Sequence, residues 1–218
     1  MTPERLVGGA IVVAIFLLIA FPVHEFSHAW AAYRLGDSTA RYQGRLTLNP
    51  IAHFDPLGGG LLAVSMLFAG IGFGWAKPTP VNPYNLRYGR RGEAIVALAG
   101  PISNLVMAMA VAIPLRLIHA DPALLVAVAS NDAASFAFFV AVLFVKIAIL
   151  LLVFNLLPIP PLDGWRALLG LVDARTAYSL RQFEQYGFVV LILVIVAAPR
   201  FVGDLTSVLA GILLGFPV

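Results

Sequence analysis

Three long apolar stretches, separated by polar and arginine-bearing segments, set the plan of this chain. The first runs from about Leu6 to Tyr33, the second from about Glu93 to Leu117 and the third from about Ala134 to Leu157. Each is long enough for a helix to cross a hydrocarbon core, which takes about 20 mostly apolar residues. Pro22 lies inside the first stretch and predicts a kink or loosened turn, because it removes one backbone hydrogen bond. The run Leu61 to Gly74 is shorter and rich in glycine, bounded by Gly58-Gly59-Gly60 and by Pro78 and Pro80. That length predicts a re-entrant or interfacial segment within residues 57–76. Residues Thr39 to Asn49 alternate Arg41, Gln43, Arg45 and Thr47 with Tyr42, Leu46 and Leu48 around Gly44, which predicts a strand or short hairpin. Apolar runs at Tyr186–Ala198 and Phe201–Phe216 fit two tilted spans or one broken hairpin.

The expected fold is therefore an all-α polytopic membrane protein. Three transmembrane helices form its core, with the short strand or hairpin, the re-entrant segment and further C-terminal membrane helices at about 184–216. Without an internal repeat or a linker, residues 1–218 read as a single membrane-embedded domain. Composition strengthens this picture. Charged residues make up 11% of the chain, against about 25% in soluble proteins, and the mean hydropathy is +0.93. The net charge of +3 is spread without a basic block, so no nucleic-acid partner is expected. The lack of cysteine excludes disulfides, thiolate-ligated zinc and thiol catalysis. The first apolar run is too long for a cleavable signal peptide. Arg34, Arg41 and Arg45 precede the Gly-rich run, and Lys77, Arg87, Arg90 and Arg91 follow it. The positive-inside rule puts both clusters in the cytoplasm only if that run enters and leaves on one side.

Against this background His24-Glu25-Phe26-Ser27-His28 stands out, because ionisable groups at membrane depth are costly and mark function. Histidines four apart share one helix face and can reach a single metal ion. Glu25 lies about 100° round the helix from His24, where a carboxylate can take a proton from an attacking water. Two histidines leave zinc one protein ligand short. Asp163, just after the Pro158-Ile159-Pro160-Pro161 break at the cytoplasmic end of the third span, is the best candidate for it.

Gly100-Pro101 with Asn104, and Asn155 through Pro158, Pro160, Pro161 and Leu162 to Asp163-Gly164, follow in order on hydrophobic segments. With these motifs the chain resembles the site-2 protease family of intramembrane zinc metalloproteases. The likeness runs from about Phe16 to Arg166 and takes in Leu48-Asn49-Pro50 through Asp55-Pro56, as in compact prokaryotic members; no PDZ or CBS domain is seen. The resemblance implies one Zn2+ on His24, His28 and Asp163, Glu25 as catalytic base, and Asn104 and Asn155 lining the active-site region. It also implies an integral protein of a prokaryotic plasma membrane, with its site near the cytoplasmic face. The substrate would be a membrane protein cleaved in or beside a transmembrane segment. Such a segment must unwind first, so the predicted strand Arg45-Leu46-Thr47-Leu48 is a candidate edge for pairing with it. The re-entrant segment could hold non-helical backbone and water at membrane depth.

Plainer roles compete at several positions. Asp163 alone could cap a helix, Asn104 could bond between helices, and Asn155 could cap backbone freed by Pro158. His53 and Asp55 read as turn residues rather than ligands. Trp30, Trp75 and Trp165 fall at expected interfaces, and Lys146 lies deep in its span without an evident partner. Two other functions remain to be weighed. A metal transporter or sensor would need polar groups along a path through the bundle, whereas here they gather toward one face and Lys146 would repel a cation. An inactive scaffold would have no need of Glu25.

Overall fold

The computed structural model describes residues 3–69, 77–197 and 199–218, and every regular element among them is helical. The first apolar stretch forms α1 (Pro3–Ile15), a π-helical turn (Phe16–Ala20) and α2 (Phe21–Arg34). The π turn sits where Pro22 demands it: the ring has no N–H to offer and would clash with the carbonyl of Leu18, and a widened turn moves that carbonyl aside. Short helices α3 (Thr39–Tyr42) and α4 (Pro50–His53) lead to α5 (Pro56–Ala69). The second and third apolar stretches are α6 (Arg90–Ala120) and α8 (Asp132–Asn155), joined by α7 (Pro122–Ala129). Then come α9 (Asp163–Leu171), α10 (Ala174–Arg181), α11 (Gly187–Ala197) and α12 (Pro199–Leu214).

Residues Ala10–Arg34, Arg90–Ala120 and Asp132–Asn155 are each long and apolar enough to cross a membrane. The stretches Ala174–Ile195 and Arg200–Leu214 meet at a 73° bend, a broken span or a re-entrant pair. Helix α6 is the central element, packing on α2, α8, α9 and α12. Its two faces show why. Ile102, Val106, Met109, Ile113 and Leu117 are exposed along one side, at the spacing of a lipid-facing stripe. Ala97, Gly100, Asn104, Ala108 and Ala112 are buried along the other. Small residues there, with Ala148 on α8 and Ala210 on α12, let the helices approach closely, which is how packing is won where lipid supplies no hydrophobic drive.

The charged ends of α2 and α6 adjoin. Arg87 N donates to Leu35 O at 2.8 Å. The buried Asp37 carboxylate accepts from Thr39 N and Oγ1, from Asn82 N at 2.7 Å and from Asn85 Nδ2 at 3.0 Å. The chain between the two helices thus begins and ends on one side. Its first half is α5; residues 70–76, the rest of the proposed re-entrant segment, lie outside the described residues, as does Trp75.

Burial alone would push the Asp37 carboxyl up, but the bonds from Thr39, Asn82 and Asn85 outweigh it and hold the group below its ordinary value. Its folded pKa is then lower than its unfolded one. The stability it contributes is complete above about pH 4 and is lost as pH falls through the depressed value. Asp37→Asn should therefore cost about 1–3 kcal/mol at neutral pH. Thermal unfolding in detergent should show the gap from wild type closing on acidification; a gap independent of pH would contradict the assignment.

The strand predicted over Thr39–Asn49 is not formed, and with it goes Arg45-Leu46-Thr47-Leu48 as a substrate-pairing edge. Local capping overrides the alternation. Asp37 bonds start α3, and Gly44, at φ 68, ends it with Gly44 N on Arg41 O and Arg45 N on Ala40 O, the paired bonds of a Schellman stop. Arg45 then turns inward, buried, with its guanidinium on the carbonyl of Ala52. His53 Nε2 donates to Thr47 O at 2.8 Å and fixes the same loop. Trp165 is buried between α9 and α10, its indole N–H on Glu184 Oε1 at 3.1 Å. Trp30 is exposed, with Arg34 over its ring.

Candidate metal centre and active site

His24 lies ten residues before Arg34 on α2, and Gly100 ten residues after Arg90 on α6. Because those ends adjoin and the helices run in opposite directions, the two residues meet at one depth, about 15 Å in. A Cβ built on Gly100 would stand 2.3 Å from His28 Nε2 and 2.6 Å from His24 Nε2. Glycine is required because the imidazole tips occupy the space where any other side chain would begin.

The third element arrives from the far end of α8. Chain reversal through Pro158–Pro161 places Asp163 in the first turn of α9, where Leu162 holds the cap position. Gly164 makes this possible, since its Cβ would lie 2.3 Å from Leu156 O. Asp163 Oδ2 stands 3.0 Å from His24 Nε2 and 3.2 Å from His28 Nε2, and the two ring nitrogens are 3.0 Å apart. His24, His28 and Asp163 are the group that could hold a metal ion among the described residues. Three donors about 2.0–2.1 Å from one tetrahedral zinc stand roughly 3.3 Å from each other, close to the separations found.

Proton placement makes the same case. His28 Nδ1 can only donate to Val96 O, 2.7 Å away. In the neutral ring this leaves Nε2 as a lone pair facing Asp163 and His24, an array of acceptors that a cation satisfies.

Glu25 is buried beside this group, and its carboxylate is held by a residue that the sequence did not single out. Thr79 N donates to Glu25 Oε2 at 3.0 Å, and Thr79 Oγ1 to the same oxygen at 2.7 Å. Thr79 belongs to the Pro78–Pro83 stretch that Asp37 anchors through Asn82. Only its flanking prolines marked it, as irregular backbone. Asn104 is fully buried with Nδ2 2.9 Å from His24 Nδ1. Asn155, by contrast, donates to Leu151 O one turn back and makes no bond to the triad. Lys146 is half-buried with no polar partner among the described residues.

Three metal donors beside a buried, oriented carboxylate are what a metal-dependent hydrolase requires, here set on helices able to cross a membrane. Peptidase family M50 matches residues 114–198, a stretch that includes Asp163. "Putative zinc metalloprotease YwhC" of Bacillus subtilis is 41% identical over 182 residues, covering 84% of this chain and 78% of that protein. "Putative zinc metalloprotease Rip2" is 34% identical in Mycolicibacterium smegmatis (89% of this chain, 70% of that one). The Mycobacterium tuberculosis H37Rv protein of the same name is 35% identical (92% and 72%). No solved structure matches the chain. The chain belongs to peptidase family M50, the site-2 protease family of intramembrane metalloproteases.

Proposed function

We propose that this protein is a zinc endopeptidase that hydrolyses peptide bonds in or next to transmembrane segments of membrane proteins, near the cytoplasmic face. The observation that carries the reading is the convergence of His24 and His28 of α2 and Asp163 of α9 onto one point, with Gly100 of α6 leaving room for the imidazole tips. Zinc held there would polarise the scissile carbonyl and make water nucleophilic at neutral pH. Glu25 takes the proton from the attacking water and passes it to the leaving amine. Thr79 holds one carboxylate oxygen by two donors, so Glu25 need not reorganise during the reaction. The arginine-bearing ends of α2, α6 and α9 share one side, while residues 121–131 carry no lysine or arginine, which supports a cytoplasmic site. Helix α5 (Pro56–Ala69) is the described part of the re-entrant segment expected within residues 57–76 in this reading, and a single membrane-embedded domain in a prokaryotic plasma membrane carries the whole site.

Chelation should abolish cleavage of a membrane-embedded reporter in proteoliposomes, and stoichiometric zinc should restore it. Full cleavage by metal-free protein would overturn the proposal. Thr79→Val removes one charge-assisted bond to Glu25 and should lower kcat by about 10–100-fold with KM little changed. Thr79→Ser should recover most of the loss. Equal defects in both variants would mean that Thr79 acts through packing and not through its hydroxyl.

A further inference from the structure

The two histidines are oriented differently at their second ring nitrogens. His28 Nδ1 meets a backbone carbonyl, Val96 O, and that contact fixes its tautomer. His24 Nδ1 meets the Asn104 side chain, and an amide can present either a donor or an acceptor. With Nδ2 against His24, as drawn by the 2.9 Å contact, Nδ1 must accept. A neutral ring would then carry its proton on Nε2, pointing among the donor atoms of His28 and Asp163. The same orientation leaves Asn104 Oδ1 buried with no hydrogen-bond partner.

Turning the amide by 180° about Cβ–Cγ changes the outcome. Oδ1 then accepts from His24 Nδ1–H, and the Nε2 lone pair faces the point shared with His28 Nε2 and Asp163 Oδ2. We infer that Asn104 is the positioning residue that selects the metal-binding tautomer of His24, presenting its carbonyl oxygen to Nδ1–H as Val96 presents its own to His28. This inference rests on the metal site proposed above. Its basis is the contact of this fully buried amide with His24 Nδ1 and the chemistry of the donor set, in which His24, His28 and Asp163 present their ligand atoms to one point. Gly100, one turn earlier, lets α6 come close enough to α2 for Asn104 to reach the ring. The plainer role, an interhelical bond of either polarity, predicts no preference between donor and acceptor at this position.

Aspartate and leucine separate the two roles. Asn104→Asp has nearly the same shape and, ionised, can only accept; Asn104→Leu can do neither. Zinc affinity of the full-length protein in detergent, measured by competition with a chromophoric chelator, is the primary readout. Asn104→Leu should bind zinc about 10–100-fold more weakly than wild type, the usual scale for losing a partner of a liganding histidine. Asn104→Asp should bind within a few-fold of wild type or more tightly. If Asn104→Asp is as weak as Asn104→Leu, the acceptor role is wrong, and if Asn104→Leu matches wild type, the residue does not position His24 at all. Should Asn104→Leu fail to fold, the aspartate variant alone decides, because a donor role predicts weak binding and an acceptor role predicts strong. Folded wild-type protein that binds no zinc would sink the metal site itself, a result distinct from either.

Discussion

Glu25→Gln protein is expected to keep its zinc and cleave a membrane-embedded substrate about 10²–10⁴-fold more slowly than wild type, the range for losing a positioned general base. The amide preserves size and can still bond to Thr79, so folding and the metal donors should be undisturbed. Elemental analysis and cleavage assays on one preparation check both halves. Wild-type turnover by this variant would remove Glu25 from the mechanism, whereas loss of metal would show that it supports the donor set instead. Since such a protein binds without cutting, it also suits the capture of substrates from native membranes.

The second large effect concerns one methyl group. Gly100→Ala puts a carbon 2.3 Å from His28 Nε2 and 2.6 Å from His24 Nε2, atoms that cannot yield without leaving the site. Zinc affinity should fall by at least about 100-fold, and cleavage should be lost with it. Alanine favours a helix over glycine by about 1 kcal/mol, so α6 itself should not suffer. Gly203→Ala, whose Cβ would meet nothing within 4 Å, is the matched control and should behave as wild type. A Gly100→Ala protein with normal zinc affinity would show that α6 does not press on the imidazoles as described.

Both predictions draw on different parts of what could be read in advance. The placement of Glu25 beside the histidines was legible because His24, Glu25 and His28 are fixed relative to each other by one helix, whose periodicity is a local property. The three spans were legible for a similar reason, since crossing a membrane depends on the length and polarity of contiguous sequence. Asp163 was reachable through its proline break and its motif. Gly100 and Asn104 were visible as a motif but without a partner, because what they touch lies about 70 to 80 residues away in the chain. Thr79 gave almost no signal: its function is a backbone N–H and a hydroxyl aimed at Glu25, and any loop can supply these if it is carried to the right place.

The failed strand has a local cause that alternation hid. Polar and apolar residues at period two from Arg41 to Leu48 resemble a half-buried strand, but Asp37 and Gly44 impose a helical turn with a left-handed stop. Capping bonds and a positive φ act over three or four residues and outweigh a pattern that has no neighbouring strand to pair with among the described residues.

By itself the sequence determined the membrane class, the order of the spans and the i, i+4 pairing of histidines around a carboxylate. Each of these follows from residues adjacent along one helix. Only the tertiary structure decided that Gly100 must be bare, that Val96 and Asn104 meet the second ring nitrogens of the two imidazoles, and that Thr79 bonds to the Glu25 carboxylate. Those contacts exist because α2, α6 and α9 converge at one depth, and convergence depends on packing summed over the bundle rather than on any local run of residues.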